Sequence, residues 1–296
     1  MKTLNLTHPN KSDVQFKVSQ FPDGQQDIII EKYFNETDGD SVWLEKIHKE
    51  SIQIKSRFNS FKDLELIICA TKALRRLGVK EIHLYIPYLL GARSDRQFVE
   101  GGTSYLVDTV APVINSLGFE SVTMMDVHSD VGMAVINNSK NETNVTLVKW
   151  SLPMIDNTFE AQSKVALVSP DGGALKKIYE TATGARLTCD IIISAKHRDV
   201  VSGKLNGFDV PIKEHQLDKT LVWIDDICDG GGTFIGEAIK ANEMGHRGKK
   251  YLIVSHGVLS KGFGELQQYF DSIFTTNSYA DFNPDTQQFV KQLNII

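Results

Sequence analysis

Two spacings of apolar residues share this chain. In residues 60–78, SFKDLELIICATKALRRLG, the positions Leu66, Ile67, Ala70, Ala73, Leu74 and Leu77 fall on one side of a 3.6-residue period, which predicts an amphipathic helix. Ser60 is placed to cap its N-terminus and Gly78 to stop it. The run EIHLYIPYLL that follows predicts a strand. Residues 103–118, TSYLVDTVAPVINSLG, predict a second helix with Pro112 as a kink point, and SVTMMDV a strand that ends at His128.

Residues 137–162 hold no sustained period and read as loop-rich. Beyond them the patterns of strand and helix resume: KVALVSP, ALKKIYETATG, DIIIS, LVWIDDI, FIGEAIKANEMG, KKYLIVSHG, GFGELQQYF and SIFTTNS. Strands separated by helices of this length predict parallel sheets covered on both faces, an α/β fold. The length of 296 residues suits two such domains, and the weakly patterned stretch puts their seam near residue 150, giving 1–150 and 151–296.

Composition narrows the function classes. Hydrophobic residues make up 41% and charged residues 23%, and no apolar run approaches the roughly 18 residues that span a bilayer. No membrane role is expected. The front segment MKTLNLTHPNKSD turns polar after Leu6 and lacks a secretory signal. Cys69, Cys189 and Cys228 are too few and too scattered for a disulfide framework or a zinc site, which points to a reducing cytoplasm. A net charge of −5 without a basic cluster argues against nucleic acid as a partner.

Parallel sheets bind ligands beyond the carboxyl ends of their strands. Polar clusters stand at those ends here: ARSDR, HSD, DGG after ALVSP, KHR after IIIS, and DDICDGGGT after VWI. In the last, glycines permit positive φ and leave N–H groups free for an anion, and the helix behind adds its positive end. Asp225 and Asp226 would repel a phosphate, so they suit sugar hydroxyls or a bound cation. Taken singly, each cluster has a plainer reading: capping aspartates in DDICDGGGT, a loop histidine at His128, a solvated strand edge at Lys196 and Arg198, and a hairpin turn in FPDGQ.

Taken together and in order, FPDGQ, IPYLLGARSDR, MMDVHS, VSPDGG, the Lys-x-Arg of AKHR, IDDICDGGGT and SHGVLS resemble the ribose-phosphate pyrophosphokinases, or phosphoribosyl pyrophosphate synthetases, from about residue 20 to the C-terminus. The resemblance implies two type I phosphoribosyltransferase-like domains, each a mainly parallel sheet flanked by helices. It implies an active site shared with a neighbouring subunit, in homodimers that assemble further. It also implies transfer of the β,γ-diphosphate of Mg-ATP to the anomeric hydroxyl of ribose 5-phosphate, with AMP released. Carried over by position, Phe21, Asp23, Gln25, Arg93 and Asp95 match ATP contacts, and His128 and Asp171 match the magnesium and ATP site, Asp171 also bordering the ribose phosphate. Lys196 and Arg198 match catalytic cations on a mobile loop. Asp225, Asp226, Asp229, Gly230, Gly231, Gly232 and Thr233 match the ribose-phosphate loop.

Three departures qualify the resemblance. Where the family reads Asp-Thr-Ala/Gly-Gly-Thr, Asp229 is followed by Gly230, so one hydroxyl donor is missing and the pocket is wider; ADP-ribose then joins ribose 5-phosphate as an acceptor, of the kind used in NAD salvage. In ARSDRQFVEGGTSYL, Ser94 replaces a glutamine and Glu100-Gly101-Gly102 stands where cations of a phosphate regulatory site are expected. The front segment is too short for the family's first strand and helix, and Gln25 replaces a glutamate, which favours a trimmed domain and a dimer. Two further readings stand beside an active pyrophosphokinase. A base-handling phosphoribosyltransferase would use the glycine loop but has no need of FPDGQ, ARSDR or Lys196, and a silent homologue would not need its transfer cations.

Overall fold

The structure, a computed structural model, describes residues 1–33, 46–155, 164–198 and 205–296. The chain divides into two compact units, Met1–Glu142 and Thr143–Ile295, with the terminal Ile296 belonging to the first. Residue 150, near which the sequence puts the seam, lies inside a helix of the second unit.

The first unit contains β1 (Lys2–Asn5), β2 (Val14–Gln20), β3 (Gln26–Tyr33), β4 (Ser51–Lys55), α1 (Phe61–Arg76), β5 (Glu81–Tyr85), α2 (Ala111–Ser116), β6 (Ser121–Met125), α3 (Asp130–Val135) and β7 (Ser139–Glu142). Strands β1, β4, β5, β6 and β7 pair in that order, all parallel, while β2 and β3 form an antiparallel hairpin. Ser60 caps α1 reciprocally with Asp63, and Gly78, at φ +84°, follows its end. The buried face of α1, Leu64, Ile67, Ala70 and Leu74, packs into one core with Ile52, Ile54, Ile82 and Leu84.

The predicted helix at 103–118 changes winding midway. Tyr105–Val110 is a π-helical turn and Ala111–Ser116 is α-helical. Pro112 at the start of the α segment has no N–H to donate into the preceding turn, and the wider turn avoids a clash of its ring with that backbone.

The second unit contains α4 (Val145–Ile155), β8 (Val165–Ser169), α5 (Leu175–Ala185), β9 (Asp190–Ile193), β10 (Ala195–Arg198), β11 (Leu205–Asp209), β12 (Thr220–Cys228), α6 (Gly232–Glu243), β13 (Lys250–Gly257), β14 (Ser272–Thr276) and β15 (Val290–Leu293). Its parallel sheet runs β15-β14-β13-β12-β8-β9, and β10 pairs antiparallel with β11. Every residue of β8 and of 221–224 is buried, which is why these strands read as unbroken apolar runs. Trp223 lies at the centre, its ring edge-on to Phe270 with centroids 5.3 Å apart.

Two expectations are corrected. The stretch read as loop-rich holds β7 and α4, and α4 buries Leu147, Val148, Ser151 and Leu152 and sets Trp150 against Phe274. The helix expected in GFGELQQYF shortens to a 3-10 turn, Leu266–Gln268. At the front a first strand is present after all, β1 paired parallel with β4 at the sheet edge, and it is followed by the 3-10 turn Pro9–Lys11. Among the described residues no helix is long and apolar enough to cross a membrane.

Candidate active site

In the second unit the chain steps from β8 to β9 on one side, then crosses back to β12 on the other side of β8. At such a reversal the loops after two adjacent strands diverge and leave a crevice at their carboxyl ends. Asp171 follows β8, and Asp229 to Thr233 follow β12. Topology thus brings two clusters, far apart in sequence, to one place.

The paired acids of DDICDGGGT, Asp225 and Asp226, lie within β12 itself. Asp225 Oδ1 accepts the backbone N–H of Asp226 at 2.9 Å, and Lys177 Nζ on α5 stands 3.9 Å from Asp226 Oδ1. Desolvation, then the neighbouring Asp226 charge, pushes Asp225 well above the ordinary carboxylate range. The pair therefore tends to retain a proton. Burial, helped by the charges of Asp225 and Asp229, pushes the Cys228 thiol up to about 12, so it is a packed thiol and not a nucleophile.

The chain then turns at Gly231, with φ +76°, whose carbonyl accepts from Ile235 as α6 begins. A Cβ on Gly231 would lie 3.1 Å from Leu266 side-chain carbons, whereas Gly232 has nothing within 4 Å of that position. Gly232 is exposed and Thr233 half-buried, so the positive end of α6 opens to solvent. The segment after β13 braces the loop: Val258 and Leu259 donate to the Cys228 carbonyl at 3.0 and 3.1 Å, and Ser260 donates its hydroxyl to Asp229 Oδ1.

Lys196 on β10 binds Asp171 Oδ2 at 2.9 Å. Partial burial works to raise the Asp171 pKa, but the hydrogen bond and charge of Lys196, with N–H groups of Ala174 and Gly173, outweigh it and hold the carboxyl below its usual value. Asp171 is thus an ionised, oriented acceptor. Beneath this pair Glu237 of α6 is fully buried. Desolvation raises it to about 8, opposed by the Trp223 hydrogen bond and the Lys196 charge. The backbone of Arg198 belongs to β10; its side chain lies outside the described residues.

The first-unit motifs occupy turns and strand ends. Phe21 to Gln25 form the tip of the β2–β3 hairpin, with Phe21 N–H to the Gln25 carbonyl at 2.8 Å, Gln25 N–H to Asp23 Oδ1 at 3.2 Å, and Gly24 at φ +98°. Phe21 is 47% exposed at that tip. Arg93 and Asp95 lie in the turns after β5, where Ser94 N–H meets the Gly91 carbonyl at 2.8 Å. His128 is exposed in the loop between β6 and α3.

Carboxylate oxygens are the donors a hard cation such as magnesium takes, commonly one or two with phosphate oxygens and water completing the shell. Asp171, ionised and half-exposed, fits that role. Among the described residues no group of three or more His, Cys, Asp or Glu is placed to hold a metal on its own.

Sequence reasoning gives no site role to Lys177 or Glu237, and it carries Ser260 only as the last residue of SHGVLS. Glu237 falls three residues after Phe234 and one before Ala238, on the buried face of α6.

No protein-family model matches the chain. It is 29% identical over 214 residues to the ribose-phosphate pyrophosphokinase of Mycoplasma pneumoniae, covering 71% of this chain and 60% of that protein. To that of Ureaplasma parvum it is 30% identical over 201 residues, covering 67% and 57%, and to that of Methanopyrus kandleri 24% over 264 residues, covering 88% and 82%. The chain thus spans less than two thirds of the first two relatives. Among solved structures, phosphoribosylpyrophosphate synthetase from Mycobacterium smegmatis matches with a TM-score of 0.75 at 19% identity, covering 97% of this chain and 88% of that one. That likeness gives the fold: two phosphoribosyltransferase-type domains, parallel sheets flanked by helices.

Proposed function

The chain belongs to the ribose-phosphate pyrophosphokinase family, and on that premise we propose that it transfers the β,γ-diphosphate of ATP to the anomeric 1-hydroxyl of ribose 5-phosphate, giving the 1-pyrophosphate and AMP. One observation supports the reading: a glycine turn preceded by paired acids follows β12, next to β8, after which Asp171 pairs with Lys196 at 2.9 Å.

In the transfer, sugar O1 bonds to the β-phosphorus as the bond from that phosphorus to the α,β-bridging oxygen breaks, AMP leaves with that oxygen, and the hydroxyl proton passes to solvent. Charge spreads over the oxygens of the phosphoryl group in flight, so positioning and nearby cations supply most of the acceleration. Gly230 to Gly232 and Thr233 hold the 5-phosphate through N–H groups, the Thr233 hydroxyl and the positive end of α6. Asp225, whose pKa is raised by burial and by its neighbour, and Asp226 beside it offer their carboxyl groups to neighbouring sugar hydroxyls. Lys196, with Arg198 of the same strand, stabilises the developing charge, a role worth about 3 kcal/mol in comparable sites. Asp171 would hold magnesium, which when bound neutralises charge on the ATP oxygens. Phe21, Asp23, Gln25, Arg93, Asp95 and His128 are assigned to ATP, in a homo-oligomer.

A second acceptor is favoured by one feature of the loop. Gly230 offers no hydroxyl, and the Lys261 stem lies 3.4 Å from where its Cβ would be. Among the described residues Lys261 has no hydrogen-bond or ion-pair partner, so a further cation stands beside the phosphate loop. ADP-ribose, with a diphosphate on its 5-oxygen, presents a second phosphate to it.

Incubation with Mg-ATP and either acceptor, reading AMP, tests both. AMP with ribose 5-phosphate alone supports the first acceptor, and AMP with ADP-ribose alone supports the second. AMP with neither removes the transfer reading.

A further inference from the structure

Helix α6 meets the β10–β11 hairpin at two consecutive residues. At Gly236 the Phe208 ring comes so close that a Cβ would lie 2.0 Å from its Cε2 and 2.6 Å from its Cδ2. The ring fills the notch the glycine leaves. Phe208 is the direct cross-strand partner of Lys196, and directly opposed residues of an antiparallel pair project from the same face. The wedge of Phe208 into α6 therefore fixes the strand position from which Lys196 reaches Asp171.

Glu237, the next residue, sits under the root of the hairpin. One of its oxygens takes the Trp223 indole N–H at 2.7 Å. The other has no hydrogen-bond partner, and the buried Ser194 hydroxyl just before β10 has none of good geometry either, though it lies near enough to influence the carboxyl. A buried, largely protonated carboxyl anchored by Trp223 on one side and lying against the root of the hairpin on the other is a packing restraint that brings no buried charge with it.

We propose that Gly236 and Glu237 form a seat on α6 for the β10–β11 hairpin, acting as positioning residues that hold Lys196 over Asp171. The proposal rests on the reading of Lys196 as a transfer cation, so its test has a readout independent of turnover.

The test compares Gly236→Ala with the wild type by AMP formation and by hydrogen exchange at the Lys196 and Phe208 amides. Alanine is the better helix former, so a damaged helix would not explain a loss. We expect kcat to fall about tenfold or more, with KM for ATP and acceptor within about twofold. Exchange should quicken at the two hairpin amides while β12 and β13 stay protected. Phe208→Ala, which leaves α6 intact, should give the same pair of changes, and Phe208→Leu added to Gly236→Ala should recover part of both. Unchanged hairpin exchange in Gly236→Ala and Phe208→Ala overturns the seat. Faster exchange with wild-type kcat upholds the seat and removes the transfer role of Lys196.

Discussion

Trp223 on β12 donates its indole N–H to Glu237 on α6 across 2.7 Å, in a core where both side chains are closed to solvent. Ionising a carboxyl there is costly, and desolvation raises Glu237 to about 8 from an ordinary 4.5. Between those values the folded chain holds a proton that the unfolded chain has released. This contribution to stability is full below pH 4.5 and is lost as pH rises to about 8, with a slope of up to about 1.4 kcal/mol per pH unit. Burial lowers the His246 pKa and gives an opposite slope on the acid side, so the difference from a variant isolates Glu237. Glu237→Gln keeps the shape and the acceptor for Trp223. Its melting temperature should gain on the wild type as pH rises through that window; parallel profiles for the two proteins contradict the assignment.

A second prediction concerns Gly231, which caps α6 at φ +76° with Leu266 carbons 3.1 Å from its absent Cβ. An L side chain is strained at that φ whatever the space, at about 1 to 2 kcal/mol. The turn relaxes only by moving the N–H groups that start α6. Gly231→Ala should lower the denaturation midpoint and raise KM for the sugar phosphate, while Gly232→Ala, with open space at its Cβ, should change the midpoint little. Equal behaviour of the two alanines in a urea titration would show that the cap conformation does not matter.

What was legible in the sequence was local. The run LVWI and the strand VALVS announce themselves because both faces of a parallel sheet are buried, and Ser60 marks the start of α1. The acid and glycine cluster is visible because strand, acids and turn are contiguous. The pairs that build the crevice are not contiguous: Asp171 and Lys196 are joined by the β8 to β10 path, and Asp229 and Ser260 by the β12 to β13 crossover. Helix α4 stays hidden because Pro153 and valines at 145 and 148 weaken its local signal, and tertiary packing of Leu147, Leu152 and Trp150 supplies what propensity does not.

The Lys196–Asp171 contact yields a third prediction. Removing the ammonium leaves Asp171 a carboxylate without its counter-charge and, on the proposed transfer role, takes a cation from the reacting phosphoryl group. Lys196→Ala should lose activity by on the order of a hundredfold or more while still binding ATP, the pattern of an interaction used in the transition state. AMP release and an ATP titration by calorimetry measure the two halves. Near-normal turnover contradicts the role.

The last prediction comes from the segment Arg96 to Tyr105. An anion regulatory site needs cations or converging N–H groups. After Arg96 this segment carries no lysine or arginine, and Glu100 stands exposed before Gly101 at φ +77°. The N–H of Gly102 is used locally, bound to the Val99 carbonyl at 3.0 Å, and the Arg96 guanidinium lies over the Phe98 ring, 5.4 Å from its centroid. With an acid where cations would be needed, inorganic phosphate has little here to bind, and the proposed transfer should run fully in phosphate-free buffer. A phosphate titration at constant ionic strength should be flat or show only inhibition, since on the proposed reading phosphate would compete for the glycine loop of the second unit. Strict dependence of AMP formation on added phosphate would require an activating site built from other residues and would remove this segment from the regulation of the enzyme.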